Sequence, residues 1–300
     1  MSQNSTSIDP ATGAEIRSHE WDGIRELDNP LPRWWFWIFL ICVVWSIGYW
    51  IAMPSWPLAT TYLKGTLGWS QRANVAADIA ALQESRRPIE QELMAANLDD
   101  IENDPDLFSF ALASGRSAFK DNCAPCHGAG AQGAIGYPNL NDDDWLWGGT
   151  LADIEQTIQH GIRNASMDSR FSEMPAYLTL GTLDRAQVSD VTEYVLSLSG
   201  RAEDAQAAER GSSTFAEQCV TCHGEDGKGM RDQGAPNLTD SIWLYGGDRD
   251  SIFETIAKAR NSSMPIWGER LPAPTVRALA VYVHSLGGGE KSTMNMEGAQ

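Results

Sequence analysis

A five-residue motif, Cys-x-x-Cys-His, occurs twice in this chain and constrains its fold more than any other feature. The copies occupy residues 123–127 and 219–223. Two thiols at this spacing can be joined covalently to the two vinyl groups of one haem, and the histidine that follows can ligate its iron. The predicted attachment thiols are Cys123, Cys126, Cys219 and Cys222, and the predicted proximal ligands are His127 and His223. The sequence therefore predicts two covalently bound haem c groups.

A zinc site or a redox-active dithiol is the alternative interpretation of these cysteines. Zinc sites pair two Cys-x-x-Cys units at closer spacing, and a thioredoxin-like dithiol requires a strand–helix setting. The fifth cysteine, Cys42, lies in an apolar run, so no pair is left over for a structural disulfide. Haem attachment explains the two histidine-terminated motifs better.

The two motifs belong to a longer internal duplication. They are 96 residues apart, and a Pro-Asn-Leu segment beginning at Pro138 recurs at Pro236, 98 residues later. The order of the repeated segments is kept throughout, and the offset drifts only in loops. One helical unit has been duplicated, so we expect each copy to form one domain.

Met174 and Met264 occupy equivalent positions in the two copies, and a proline follows each. A lone methionine usually fills a core, but two at matched positions are predicted to be the distal iron ligands. Histidine–methionine ligation raises the reduction potential of haem and closes its iron to exogenous ligands. Which methionine serves which haem stays open, because domains packed face to face could exchange these ligands.

Other matched residues are candidates for contact with the haem edges and propionates. Aromatic residues could pack on the ring or donate a hydrogen bond to a propionate, and arginines could neutralise it. Ordinary core packing and surface salt bridges are the alternatives. The candidates are Trp145, Trp147, Trp243, Tyr245, Arg163 and Arg260.

A segment without charge runs from Trp34 to Met53. Twenty helical residues span about 30 Å, the thickness of a bilayer's hydrocarbon core. Tryptophan and tyrosine gather at both ends, as they do at membrane interfaces. This pattern predicts a transmembrane helix in contact with lipid; a buried helix of a soluble protein is the alternative.

Covalent haem attachment in bacteria takes place outside the cytoplasmic membrane, so the haem domains are expected in the periplasm. The chain would then cross the inner membrane once, with a polar, mostly extended N-terminus in the cytoplasm. We expect a cytoplasmic N-terminal segment over residues 1–33, a transmembrane helix over 34–56, a helical connector over 57–105, haem domains over 106–200 and 201–290, and a flexible tail over 291–300. The fold class is therefore mainly α, with two tandem cytochrome c-type domains.

The formal net charge is −18, and residues after Arg33 alone contribute 19 basic against 34 acidic side chains, a net −15. Such acidity argues against nucleic acid as a partner, because phosphates would be repelled. It favours a partner with a basic face, although solubility alone would also account for it.

The N-terminal region carries a more specific resemblance. It contains His-Glu-Trp-Asp-Gly-Ile at residues 19–24 and Asp-Asn-Pro-Leu-Pro-Arg-Trp-Trp at residues 28–35, followed by the membrane helix and two Cys-x-x-Cys-His domains. This arrangement resembles the dihaem subunit III (CcoP or FixP type) of cbb3-type cytochrome c oxidase, over nearly the whole chain.

The resemblance implies a non-catalytic electron-transfer subunit of a haem–copper oxidase that reduces oxygen and transports protons. It would accept electrons from a soluble cytochrome c-like donor and pass them through a monohaem subunit to the catalytic subunit. The resemblance also implies that His127, His223, Met174 and Met264 are the axial ligands. A free membrane-anchored dihaem shuttle is the main alternative, and a dihaem peroxidase-like enzyme is a further one.

Overall fold

A computed structural model of the chain describes residues 7–291. The chain divides into two compact units, of which the first ends at Glu84 and the second begins at Ser85. In chain order the elements are β1 (Ser7–Ile8), β2 (Glu15–Trp21), β3 (Ile24–Leu27), α1 (Arg33–Ala52), α2 (Gln71–Ala95), α3 (Leu98–Ile101), α4 (Pro105–Asn122), α5 (Ala124–His127), α6 (Leu151–His160), α7 (Arg185–Ser197), α8 (Ala205–Gln218), α9 (Val220–His223), a 3₁₀ turn (Arg231–Gln233), α10 (Arg249–Lys258) and α11 (Ala273–His284). The mainly α fold class is confirmed. Residues 292–300 of the predicted tail lie outside the described residues.

The N-terminal segment, which the sequence predicted to be mostly extended, contains a small sheet. Its strands are antiparallel in the order β1-β2-β3. Asp22 and Gly23, which connect β2 to β3, have φ angles of 47° and 84°. Aspartate and glycine tolerate this left-handed conformation, which a two-residue hairpin turn requires. The extended segment therefore folds back on itself and pairs.

Helix α1 is the one helix among residues 7–291 that is long and apolar enough to cross a membrane, with a mean hydropathy of 1.9. No residue of α1 is buried by any other described residue. The alternative of a buried helix in a soluble protein is therefore not supported. The helix ends at Ala52 rather than continuing to residue 56, since Pro54 cannot extend it.

Helix α2, in the predicted helical connector, continues through Pro88. The neighbouring residues are mostly good helix formers, so the local loss of one backbone hydrogen bond does not end the helix.

In the second unit, Arg277 binds backbone carbonyls in the last turn of α2. Its guanidinium donates to the carbonyls of Met94 at 2.9 Å and Leu93 at 3.2 Å, and it pairs with Glu155 at 2.9 Å.

The helices of the two sequence copies are exchanged in the second unit. Helix α11, from the second copy, packs against α4 and α6 of the first copy. Helix α7, from the first copy, packs against α8 and α10 of the second copy. Each half of the unit therefore combines the N-terminal part of one copy with the C-terminal part of the other.

The hydrophobic cores follow the exchanged arrangement. One core joins Phe119, Ile154 and Ile158 of the first copy to Leu279 and Val283 of the second. The other is the reciprocal combination, and its members include Val188, Val191, Val195, Phe215, Ile252 and Ile256. Burial of these side chains stabilises the packing of each half. The boundaries 106–200 and 201–290 delimit the two sequence copies. Each packed half of the unit contains helices from both copies.

Candidate haem sites

Each Cys-x-x-Cys-His motif forms a single helical turn directly after a longer helix. Cys123 ends α4 and begins α5, and its carbonyl accepts from the amides of Cys126 at 3.1 Å and His127 at 2.9 Å. Cys219 does the same between α8 and α9, with the same two distances. This turn brings both thiols and the imidazole of each motif to the wall of one cavity.

The two imidazoles are oriented by prolines of the repeated Pro-Asn-Leu segment. His127 Nδ1 lies 3.1 Å from the Pro138 carbonyl oxygen, and His223 Nδ1 lies 3.1 Å from that of Pro236. A carbonyl oxygen can only accept, so Nδ1 carries the hydrogen and Nε2 keeps its lone pair for a metal. Burial lowers the pKa of both histidines, which favours the neutral form that iron ligation needs.

Two cavities in the described part of the chain contain the predicted ligands. The first cavity, with about 1220 Å³ of empty space including its mouth, is lined by Cys123, Cys126, His127 and Met264. The second, with about 1270 Å³, is lined by Cys219, Cys222, His223 and Met174. Each motif therefore faces the methionine of the other copy, a consequence of the exchanged helices.

Two asparagines hold the methionine loops across the exchange. Asn164 Nδ2 donates to the Met264 carbonyl at 3.0 Å. Asn261 makes the reciprocal pair of bonds to the Met174 backbone, at 3.2 and 3.3 Å. Neither asparagine was predicted as a site residue, although the repeated Arg-Asn and Met-Pro pairs were the signal that could have identified them.

The polar atoms of the cavity walls fit a haem with its propionates. The indole nitrogens of Trp147 in the first cavity and Trp243 in the second are buried and have no hydrogen-bond partner among residues 7–291. A buried N–H without an acceptor is costly, and a carboxylate of a bound cofactor would satisfy it. These two indole N–H groups could each donate a hydrogen bond to a propionate of a bound haem.

The other two aromatic candidates already have partners. Trp145 Nε1 donates to the Gly288 carbonyl at 2.7 Å, and the Tyr245 hydroxyl is paired with Ser262 Oγ. The suggestion that these two polar atoms bond a propionate is not supported, because each is already hydrogen-bonded to a residue more than ten positions away in the chain.

The two matched arginines are hydrogen-bonded to backbone and hydroxyl oxygens. Arg260 donates to the Ser251 carbonyl and to Thr255 Oγ1, both on α10. Arg163 donates to carbonyls of Ser262 and Ser172, which belong to the two methionine loops. Burial lowers the pKa of Arg163, an effect that Tyr245 opposes.

The cysteine environments do not favour the zinc or dithiol alternatives. Burial, with a smaller contribution from Cys126, raises the pKa of Cys123 to about 11; burial and Cys222 do the same for Cys219. Reactive or metal-binding thiols have lowered pKa values. Within residues 7–291, no three His, Cys, Asp or Glu side chains are grouped to hold a metal ion.

Three further histidine and methionine residues lie away from the cavity walls. Met167 is fully exposed and Met230 is 42% exposed. His284 is held between the carboxylate of Glu102 and the carbonyl of Glu290. None of these three residues lines either cavity.

Comparison with known protein families covers most of the chain in three segments. Residues 13–60 match the N-terminal domain of cytochrome oxidase-cbb3, FixP. Residues 112–199 match the cytochrome c family, and residues 206–283 match cytochrome c oxidase, cbb3-type, subunit III.

Curated relatives are similar over nearly their full length. The FixP subunit of cbb3-type cytochrome c oxidase from Azorhizobium caulinodans is 53% identical over 284 residues, which is 94% of this chain and 96% of the relative. The CcoP subunit from Cereibacter sphaeroides is 51% identical, with the same coverage. A FixP subunit from Bradyrhizobium sp. is 49% identical over 95% of this chain and 99% of its own length. The chain therefore belongs to the FixP/CcoP family of cbb3-type cytochrome c oxidase subunits.

Proposed function

We propose that this electron-transfer subunit carries two covalently attached haem c groups. In this proposal the first is joined to Cys123 and Cys126 and the second to Cys219 and Cys222. The observation that carries the proposal is that each motif lies in its own cavity, opposite a methionine and beside a buried indole N–H that has no partner among the described residues. Bound haem iron supplies a one-electron redox centre at each position.

In this proposal the residues that would hold each haem iron come from both copies. His127 and Met264 would ligate the first iron, and His223 and Met174 the second, as the lining of the cavities supports. Two protein ligands would leave no position on an iron for substrate, so the chain would not be catalytic by itself. Its residues would bind and orient the haems and exclude water around them.

The proposed route of electrons has three parts. A soluble cytochrome c-like donor delivers electrons to this chain, a monohaem subunit receives them, and the catalytic subunit uses them to reduce oxygen while protons are transported. The net charge of −15 after Arg33 would attract a donor with a basic face.

Helix α1 would anchor the chain in the bacterial inner membrane as a single span. We place the N-terminus in the cytoplasm and the haem-bearing unit in the periplasm, because haem is attached there. Exposure of the tryptophans of α1 supports contact with lipid.

Purification from the native membrane in mild detergent tests the assignment to the complex. We expect a stable assembly with a haem–copper catalytic subunit and a monohaem subunit, and two covalent haems on this chain by mass. Recovery of this chain alone would instead support a free electron shuttle.

Carbon monoxide binding tests the exchanged ligands. Met174→Ala should open one iron to carbon monoxide, which the wild type should not bind. Additional removal of the second attachment site (Cys219→Ser with Cys222→Ser) should abolish this binding. Removal of the first site (Cys123→Ser with Cys126→Ser) should leave it in place. The reverse pattern would show that Met174 ligates the haem of its own copy.

A further inference from the structure

Arg163 lies between the two cavities and lines both of them. Its guanidinium is partly buried, whereas most arginines are exposed. Arg260, which occupies the equivalent position in the second copy, lines the second cavity but not the first. The duplication alone would predict the same role for both arginines, so their different positions need a separate explanation.

The hydrogen bonds of Arg163 connect the two methionine loops. Nε donates to the Ser262 carbonyl at 2.6 Å, and Nη1 donates to the Ser172 carbonyl at 2.9 Å. Ser262 is two residues before Met264, and Ser172 is two residues before Met174. The planar guanidinium thus fixes one loop with each of two nitrogens, a geometry that a lysine ammonium cannot reproduce.

The backbone at Arg163 is held in an unusual conformation that directs this side chain. Its φ angle is 47°, in the left-handed region that non-glycine residues seldom adopt. Its amide donates to the Arg170 carbonyl at 2.9 Å, and the adjacent Ile162 is paired with Met264 through two backbone bonds of 2.9 and 3.0 Å. Several contacts therefore fix the position of Arg163 relative to the first cavity's methionine.

The positive charge of Arg163 is solvated by carbonyl oxygens. No carboxylate within residues 7–291 forms an ion pair with it, although Glu173 attracts it electrostatically, whereas Arg260 has Glu254 4.0 Å away. A partly buried charge is screened less than an exposed one. Its field therefore reaches both cavities.

We infer that Arg163 is a positioning residue for both haem sites. It holds both methionine loops, and its positive charge raises the reduction potentials of both haems. Reduction removes one positive charge from the iron, so a nearby cation favours the reduced form. The inference rests on the proposed function, since it requires a haem in each cavity. It predicts that the two haems respond together to a change at this one residue.

Potentiometric titration of the full-length haem-loaded chain, purified in detergent, tests this inference. Arg163→Gln should lower the midpoint potentials of both haems. It should also weaken the absorption band that reports a bond between methionine sulfur and ferric iron, at both sites. Arg260→Gln is the matched control and should lower only the potential of the second haem. A shift of one potential, or of neither, in Arg163→Gln would overturn the inference.

Arg163→Lys separates the two parts of the role and remains informative if the glutamine variant does not fold. The lysine keeps the charge but not the two-nitrogen contact, so the sulfur–iron band should weaken at both sites while the two potentials fall less than in Arg163→Gln. An unchanged band would contradict the positioning role. Haem content is measured first: a wild-type chain with fewer than two haems contradicts the proposed function, whereas two haems without a joint response contradict only the role of Arg163.

Discussion

At the scale of single residues, each proposed iron ligand in this subunit depends on a partner that fixes its side chain or its loop. The prolines of the repeated Pro-Asn-Leu segments orient His127 and His223, and the asparagines of the repeated Arg-Asn pairs hold the methionine loops. The thiols, histidines and methionines that line the two cavities could be proposed from the sequence, because spacing and duplication identify them as candidates. Asn164 and Asn261 were not, since their partners are 100 and 87 residues away.

Asp144 is expected to make stability depend on pH. Burial, followed by the charges of Asp240, Asp142 and Asp143, raises its pKa to about 6. The folded protein therefore holds this proton more tightly than the unfolded chain, and the resulting stabilisation is lost as pH rises through about 6. Allowing for solvent screening at this half-buried site, we expect a loss of about 1 kcal/mol.

Denaturant unfolding of the haem-loaded chain measures this dependence. The measurements run from about pH 5 to about pH 8, a range that extends about one to two units to either side of the titration. Asp144→Asn should flatten the profile, and Asp240→Asn should reduce it in part. An unchanged profile in Asp144→Asn would show that other groups cause any pH dependence.

At the scale of elements, two glycines allow the helices of the exchanged pairs to cross closely. A Cβ atom on Gly115 of α4 would lie 2.2 Å from the Ala278 carbonyl oxygen of α11. A Cβ on Gly211 of α8 would lie 2.1 Å from the Asp190 carbonyl oxygen of α7. Backbone atoms cannot yield as flexible side chains do, so each crossing requires glycine.

We therefore predict that Gly211→Ala destabilises the α7–α8 crossing by about 1–3 kcal/mol, the usual cost of overpacking. The second haem site should lose its methionine ligation first, because this crossing supports it. Thermal unfolding and the sulfur–iron absorption band measure the two effects. Ser213→Ala, an exposed position on the same helix, is the control and should not destabilise. Equal stability of Gly211→Ala and the control would contradict the close crossing.

Helix positions were largely predictable and helix lengths less so. Helix α6 begins after the Thr150 cap and is followed by glycine, both local signals that the sequence shows. The predicted connector ended at residue 105, whereas Pro105 is the first residue of α4 after the Asp104 cap. Proline is favourable in the first turn of a helix.

At the scale of the whole molecule, the exchange makes the two copies depend on each other. A chain that ends after residue 200 would contain α4 and α6 without α11, and α7 without α8. We predict that it assembles neither haem site with methionine ligation. Haem content and the sulfur–iron band of the purified fragment measure this.

Supplying residues 201–300 as a second exported chain should restore both sites, because the exchanged helices and cores can then form. A stable fragment of residues 1–200 with histidine–methionine ligation at Cys123–His127 would contradict the exchange. It would also show that the boundaries predicted from the duplication are those of independently folding domains.

The sequence by itself determined the two Cys-x-x-Cys-His motifs, a helix apolar enough to span a membrane and the duplication, because each depends on local spacing or composition. Only the tertiary structure decided that α7 and α11 exchange partners, that each motif faces the other copy's methionine, and that Arg163 contacts both methionine loops. The two copies are similar enough that either pairing would bury equivalent apolar faces. The choice between the pairings depends on contacts between residues about one copy apart in the chain, which no local pattern records.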